Sequence, residues 1–125
     1  MKRILIVDDE PDVNLALRIV LEDNNFIVDS FNDPVLALEN FKASLYDILI
    51  LDIKMPKKDG FEVYKEIMKI DNRVKVCFLT AGDVNYSSLK ETFPTLNENQ
   101  FIRKPIENIE LLRQVHKIIN LNDRK

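Results

Sequence analysis

Five short apolar runs recur along the chain, and the stretch after each has the spacing of an amphipathic helix. The runs cover residues 4–7, 26–31, 48–51, 74–79 and 101–102. After the first, Val13, Ala16, Leu17 and Val20 fall on one helical face. After the second, Val35, Leu38 and Phe41 do the same, with Asp33 suited to the N-cap and Pro34 to the first helical position. Phe61, Tyr64, Ile67 and Met68 mark a third face behind Gly60, and Ile109, Leu112, Val115 and Ile119 mark the last. Pro11 fits the first turn of the first helix. The fourth segment is weak: it is polar, contains Pro94, and offers little besides Val84, Leu89 and Phe93. A short or irregular helix over residues 86–93 is expected there, followed by a loop.

A β-α unit repeated five times predicts an α/β fold with a parallel sheet covered by helices on both faces. The first, third and fourth runs are the most continuously apolar, as central parallel strands should be. The second carries Asp29 and Ser30, and the fifth is short and flanked by Gln100 and Arg103, so these two suit edges. With right-handed crossovers, this predicts a doubly wound sheet of strand order 2-1-3-4-5.

The chain has 125 residues, enough for one domain with a sizeable core. Its net charge of -3, with acids and bases interspersed, lacks the basic footprint of a nucleic-acid binder. No apolar run approaches the about 20 residues of a membrane span, and the apolar start at Ile4–Val7 is too short for a signal-peptide core. A cytoplasmic location is expected. The single cysteine, Cys77, lies in an apolar run and suits a small buried hydrophobe. The single histidine, His116, falls in the last helix, far from any activated group. Zinc spacing and a Ser-His-Asp arrangement are both missing.

Chemistry collects at the carboxyl ends of the strands. The first run is followed by Asp8, Asp9 and Glu10, the third by Asp52, the fourth by Thr80 and the fifth by Lys104 and Pro105. In a 2-1-3-4-5 sheet the connections reverse between strands 1 and 3, and ligands bind in the crevice above that point. Asp8, Asp9 and Asp52 are therefore expected around one crevice, with Thr80 and Lys104 on its far wall. Three carboxylates together repel, and a divalent cation relieves the repulsion. Oxygen-only donors favour a hard ion, Mg2+ first, in a site shared with phosphate oxygens. An aspartate can itself accept a phosphoryl group as nucleophile. Each residue also has a bland role: a helix cap for Asp8 or Asp9, a strand-end turn for Asp52, an ordinary strand position for Thr80, solvated surface for Lys104. Their shared location is what favours the site.

The stretches "VDDE", "LILDIKMPKKDG", "FLTAG" and "FIRKP" together resemble the receiver domain of two-component response regulators, in a form like the single-domain chemotaxis regulators. The resemblance spans essentially the whole chain and implies a flavodoxin-like (βα)5 fold. It implies that Asp52 is the phosphoacceptor and that Asp9 binds Mg2+ directly, Asp8 largely through water, and Lys54 through its backbone carbonyl. Thr80 and Lys104 would contact the phosphoryl oxygens, and a cis peptide would join Lys104 to Pro105. Phe101 would be the switch aromatic, with plain core packing as its alternative. Lys57, Lys58, Lys65, Lys69, Arg73 and Lys75 read either as a solvated face or as a docking surface for an acidic partner.

The implied function is a phosphorylation switch. A histidine kinase or phosphotransfer protein donates to Asp52, Thr80 is drawn in, Phe101 turns inward, and the face of the fourth helix, fifth strand and fifth helix changes toward a downstream target. Such a chain catalyses only its own phosphorylation and dephosphorylation. Residues 1–121 are expected to form the receiver and 122–125 a polar tail, with no output domain. Lys54, two after Asp52, is a long cation at a position that tunes hydrolysis in the family, and Gly82, two after Thr80, has no side chain to steer water, so both affect phosphoryl lifetime. The irregular fourth helix points to a monomer or weak dimer. Two other classes compete: a degenerate, phosphorylation-independent binding module, and a Mg2+-dependent phosphatase of the haloacid-dehalogenase type, which wants an acid where Lys54 stands. Flavin binding would need a hydroxyl- and glycine-rich loop where the acids are.

Overall fold

The computed structural model describes residues 1–81, 91, 94, 96 and 98–120. The elements are β1 (Arg3–Val7), α1 (Pro11–Asp23), β2 (Ile27–Phe31), α2 (Pro34–Asn40), β3 (Ile48–Asp52), α3 (Gly60–Ile70), β4 (Lys75–Thr80), a short 3-10 turn (Glu98–Gln100), β5 (Phe101–Arg103) and α4 (Asn108–Ile119). All five strands pair in parallel, in the order β2-β1-β3-β4-β5. The expected topology and edges are therefore present. The expected helix over residues 86–93 and Gly82 lie outside the described residues, apart from Glu91.

Because side chains alternate along a strand, each central strand feeds two cores. Ile4, Ile6, Ile48, Ile50, Cys77 and Leu79 face α1 and α4, where they meet Leu17, Leu21, Leu111, Val115 and Ile118. Leu5, Val7, Leu49, Leu51, Val76 and Phe78 face α2 and α3, where they meet Ala37, Val63, Tyr64 and Ile67. Both faces of β1 and β3 are thus dry, and their carboxyl ends emerge into the crevice between the layers.

Helix faces depart from the spacing in detail. On α1 the buried positions are Asn14, Leu17 and Leu21, Val13 and Val20 are half-buried, and Ala16 is exposed. The α2 helix stops at Asn40, so Phe41 packs from an extended residue beyond its end. Val63 joins the α3 face, with Phe61 and Met68 half-buried at its edges. On α4, Ile109 is 71% exposed while Leu111 and Ile118 are buried. Apolar residues on two overlapping stripes satisfy the same period, and the angle at which the helix meets the sheet selects between them.

Local chemistry sets the helix starts. Asp33 accepts a hydrogen bond from the Val35 N–H, as an N-cap should, with Pro34 behind it. Asp59 and Glu62 form a reciprocal capping box at α3. Gly60 is required by close approach: a Cβ there would lie 2.4 Å from the Asp52 carbonyl oxygen. Its N–H donates to the Ile53 carbonyl at 2.8 Å, which docks the start of α3 against the end of β3.

Candidate functional site: an acid pocket at the carboxyl edge of the sheet

Asp8 follows β1 and Asp52 ends β3, so the pairing of these two strands brings the carboxyls together. Asp8 has no solvent exposure and Asp52 is 4% exposed. The Asp9 side chain, half-buried, interacts directly with that of Asp52. Lys104, delivered by the loop after β5, places its ammonium 3.0 Å from Asp8, 2.8 Å from Glu10 and 3.5 Å from Asp52. Its backbone N–H donates to the Thr80 carbonyl at 2.7 Å, which fastens the β5 loop to the end of β4. The Lys104–Pro105 peptide is cis. Thr80 is buried at the end of β4, and Lys54 is exposed in the loop after β3.

Glu10 had no more than a strand-end role in the sequence. In the fold it joins Asp8 and Asp52 in a set whose carboxylate oxygens lie within 4.8 Å of one another. The available signal was the third acid in "VDDE", but only the Lys104 contact shows which way that side chain turns. A second overlooked residue is Asn14, whose amide donates to the Asp8 carbonyl at 2.7 Å.

Electrostatics follow from burial. Desolvation, followed by the negative charge of Asp8, pushes the Asp52 carboxyl up to about 6, with Lys104 pulling the other way. Burial also raises the Asp8 carboxyl, against a hydrogen bond from the Glu10 N–H and the nearby Lys104. Burial works against the Lys104 ammonium, yet its contacts with Glu10 and Asp8 and the charge of Asp52 prevail, and its pKa is raised. The pocket thus holds more negative charge than one lysine balances. Asp8 Oδ2 is buried, with the Lys104 ammonium 3.0 Å away. Three carboxylates whose oxygens crowd within 4.8 Å, two of them buried, suit a hard divalent cation.

The remaining residues sort themselves. Phe101 is buried and stacks on Phe78, ring centroids 5.4 Å apart. Core packing describes the ring in this state, and it is already turned in. Lys57 pairs with Asp33, Lys58 with Glu66, and Lys75 donates to the Ile119 carbonyl. Those three cations are engaged within the chain, which leaves Lys65, Lys69 and Arg73 exposed on this side. Cys77 is fully buried, and desolvation pushes its thiol up to about 12. His116 is exposed beside Phe26.

A doubly wound sheet of this order defines an α/β class of protein that binds ligands at its switch point, and here that point holds acids with a lysine across from them. Residues 4–116 match the family described as response regulator receiver domain, and the chain belongs to that family. Phosphorylation-dependent signalling with histidine kinase partners is general to it. The chain is 33% identical over 113 residues to the transcriptional regulatory protein DltR of Streptococcus agalactiae, covering 90% of this chain and 50% of that protein. It thus spans about half the length of such curated relatives. Among solved structures, the non-phosphorylated HemR receiver domain from Leptospira biflexa superposes with a TM-score of 0.85 at 26% identity, over 98% of this chain and 97% of that one. The response regulator TrrA from Thermotoga maritima, solved in complex with Mg2+-BeF, gives a TM-score of 0.73 at 31% identity, over 94% and 99%. Among the described residues, no helix is long and apolar enough to cross a membrane.

Proposed function

We propose that this chain is a phosphorylation-driven receiver, with Asp52 as phosphoacceptor, and that it works in the cytoplasm. The observation that carries the reading is the convergence of Asp8, Asp9, Asp52 and Lys104 on one crevice from three separate strand ends. An Asp52 carboxylate oxygen attacks the phosphorus of a partner's phosphohistidine. The P–N bond breaks, and the imidazole leaves with the electron pair and takes up a proton. Lys104, 3.5 Å from Asp52, is placed to balance charge on the transferred group, and Thr80 stands at the neighbouring strand end. Mg2+ would be held by Asp8, Asp9, Asp52 and the Lys54 carbonyl, and when bound it supplies the positive charge that lets a dianionic group approach an acidic pocket.

A donor has a place to dock. An apolar cleft of about 450 Å³ opens beside Lys104, lined by Val13, Ala16, Leu17, Pro105 and Ile106, with Glu10 at its rim. A histidine kinase or phosphotransfer protein seated there brings its phosphohistidine to the mouth of the acid pocket. Output runs through β5 and α4, where any switch at Phe101 is the movement of a ring packed on Phe78. The downstream target is a protein or an output domain, since DltR and similar relatives are transcriptional regulators about twice as long. The receiver part itself makes no nucleic-acid contact and is a monomer or weak dimer.

Mass spectrometry after incubation with acetyl phosphate and Mg2+ tests the reading. One added phosphoryl group is expected on the wild type and none on Asp52→Asn. A phosphoryl group that survives the substitution refutes the assignment.

A further inference from the structure

Asn14 occupies a position on α1 where the packing asks for an apolar residue: it is 4% exposed and faces the sheet with Leu17 and Leu21. A buried amide is costly unless its hydrogen bonds are made. Asn14 turns its Nδ2 donor to the two loops at the site rather than into the helix, while its Oδ1 is buried without a hydrogen-bond partner among the described residues. Asn14 Nδ2 donates to the Asp8 carbonyl at 2.7 Å, to the Phe31 carbonyl at 3.2 Å and to Asn32 Oδ1. The Asp8 N–H also donates to the Phe31 carbonyl, at 3.2 Å. Asp8 is therefore held at both ends of its backbone, and its Oδ1 accepts from the Glu10 N–H at 2.9 Å. Asn32 adjoins Asp33, which caps α2 and pairs with Lys57 of the loop after β3, so the tie extends to a third loop around the pocket.

We propose that Asn14 is a positioning residue of the acid pocket: its amide clamps the Asp8 backbone to the loop after β2 and so sets the affinity of the pocket for Mg2+. The proposal rests on Asp8 being part of a cation site. Groups that orient metal ligands from behind are commonly worth a tenfold or greater change in affinity.

Calorimetric titration with Mg2+ alone tests it on four proteins. Asn14→Leu keeps the volume and removes the donor, and its Mg2+ Kd is expected to rise about tenfold. Asn32→Ala removes the far, exposed end of the clamp, and a rise of about threefold is expected. Leu21→Val loosens the same helix away from Asp8, so it should lose thermal stability with no change in Kd. A Kd for Asn14→Leu within twofold of wild type overturns the proposal. So does an equal weakening in Leu21→Val, which would make the effect one of general stability. Should Asn14→Leu fail to fold, an unchanged Kd in Asn32→Ala overturns it. A wild type that takes up no Mg2+ overturns the cation reading with it, whereas normal wild-type binding with insensitive variants removes Asn14 alone.

Discussion

The Lys104 ammonium stands 3.0 Å from the Asp8 carboxylate, across the pocket from a residue with no solvent exposure. The pair is asymmetric: Lys104 has two further acidic neighbours, whereas Asp8 has only this cation against its Oδ2 among the described residues. Removing one partner of a buried pair leaves the other uncompensated, at a cost of about 3 kcal/mol. Lys104→Met is therefore expected to lose about that much stability at pH 7 in urea melts without Mg2+. The deficit should shrink in acid, where Asp8 is protonated, and in Mg2+. A variant as stable as wild type at pH 7 would show that Asp8 does not depend on the lysine.

Asp52 gives the pH dependence a definite direction. Its carboxyl is pushed up to about 6 by burial and by Asp8, against about 4 in the unfolded chain. Between these values the folded state holds more protons than the unfolded one, so stability falls as pH rises. The contribution is fully present below pH about 4 and gone above about 6. That gap corresponds to roughly 3 kcal/mol. Asp52→Asn should therefore be more stable than wild type by about 2–3 kcal/mol at pH 7 without Mg2+, with the difference closing toward pH 4. A difference independent of pH would mean that the gain does not come from the Asp52 charge.

The parts of this arrangement that follow strand ends were legible in advance, and the parts that follow loop geometry were not. Continuous apolar runs located the strands, because a strand buried on both faces leaves no polar alternation. The topology then placed Asp8, Asp52 and Lys104 together, since each lies at or just beyond a strand's carboxyl end. Glu10 and Asn14 had no such marker. Glu10 turns toward Lys104 because of the loop between β1 and α1, and Asn14 is buried because carbonyls of two loops meet its amide. On α4, six apolar residues within twelve allowed two faces, and the sheet chose the one with Leu111 and Ile118.

Gly60 links the helix start to the phosphoacceptor. A Cβ at this position would sit 2.4 Å from the Asp52 carbonyl oxygen and 3.1 Å from Ile53 Cα, both backbone atoms with little room to yield. Gly60→Ala must therefore push α3 away from the end of β3. A loss of about 1–3 kcal/mol is expected from urea melts. Phosphorylation by acetyl phosphate should slow as well, since the backbone that carries Asp52 moves. A loss of stability with an unchanged rate would mean that α3 alone gives way.

The cleft beside Lys104 separates donor recognition from chemistry. Ala16 is exposed there, on α1 beyond the acid pocket, so Ala16→Tyr should fill the cleft while leaving Asp8, Asp52 and Lys104 in place. Its effect on stability should stay within about 0.5 kcal/mol, the scale of helix propensity at an exposed position. Acetyl phosphate, which needs no docking surface, should phosphorylate the variant at the wild-type rate. Transfer from the phosphorylated histidine kinase that serves the wild type should fall about tenfold, the equivalent of about 1.4 kcal/mol of docking energy. Equal rates from the kinase would place the donor elsewhere on the rim, and a matching fall with acetyl phosphate would show that the bulky ring disturbs the acid pocket itself.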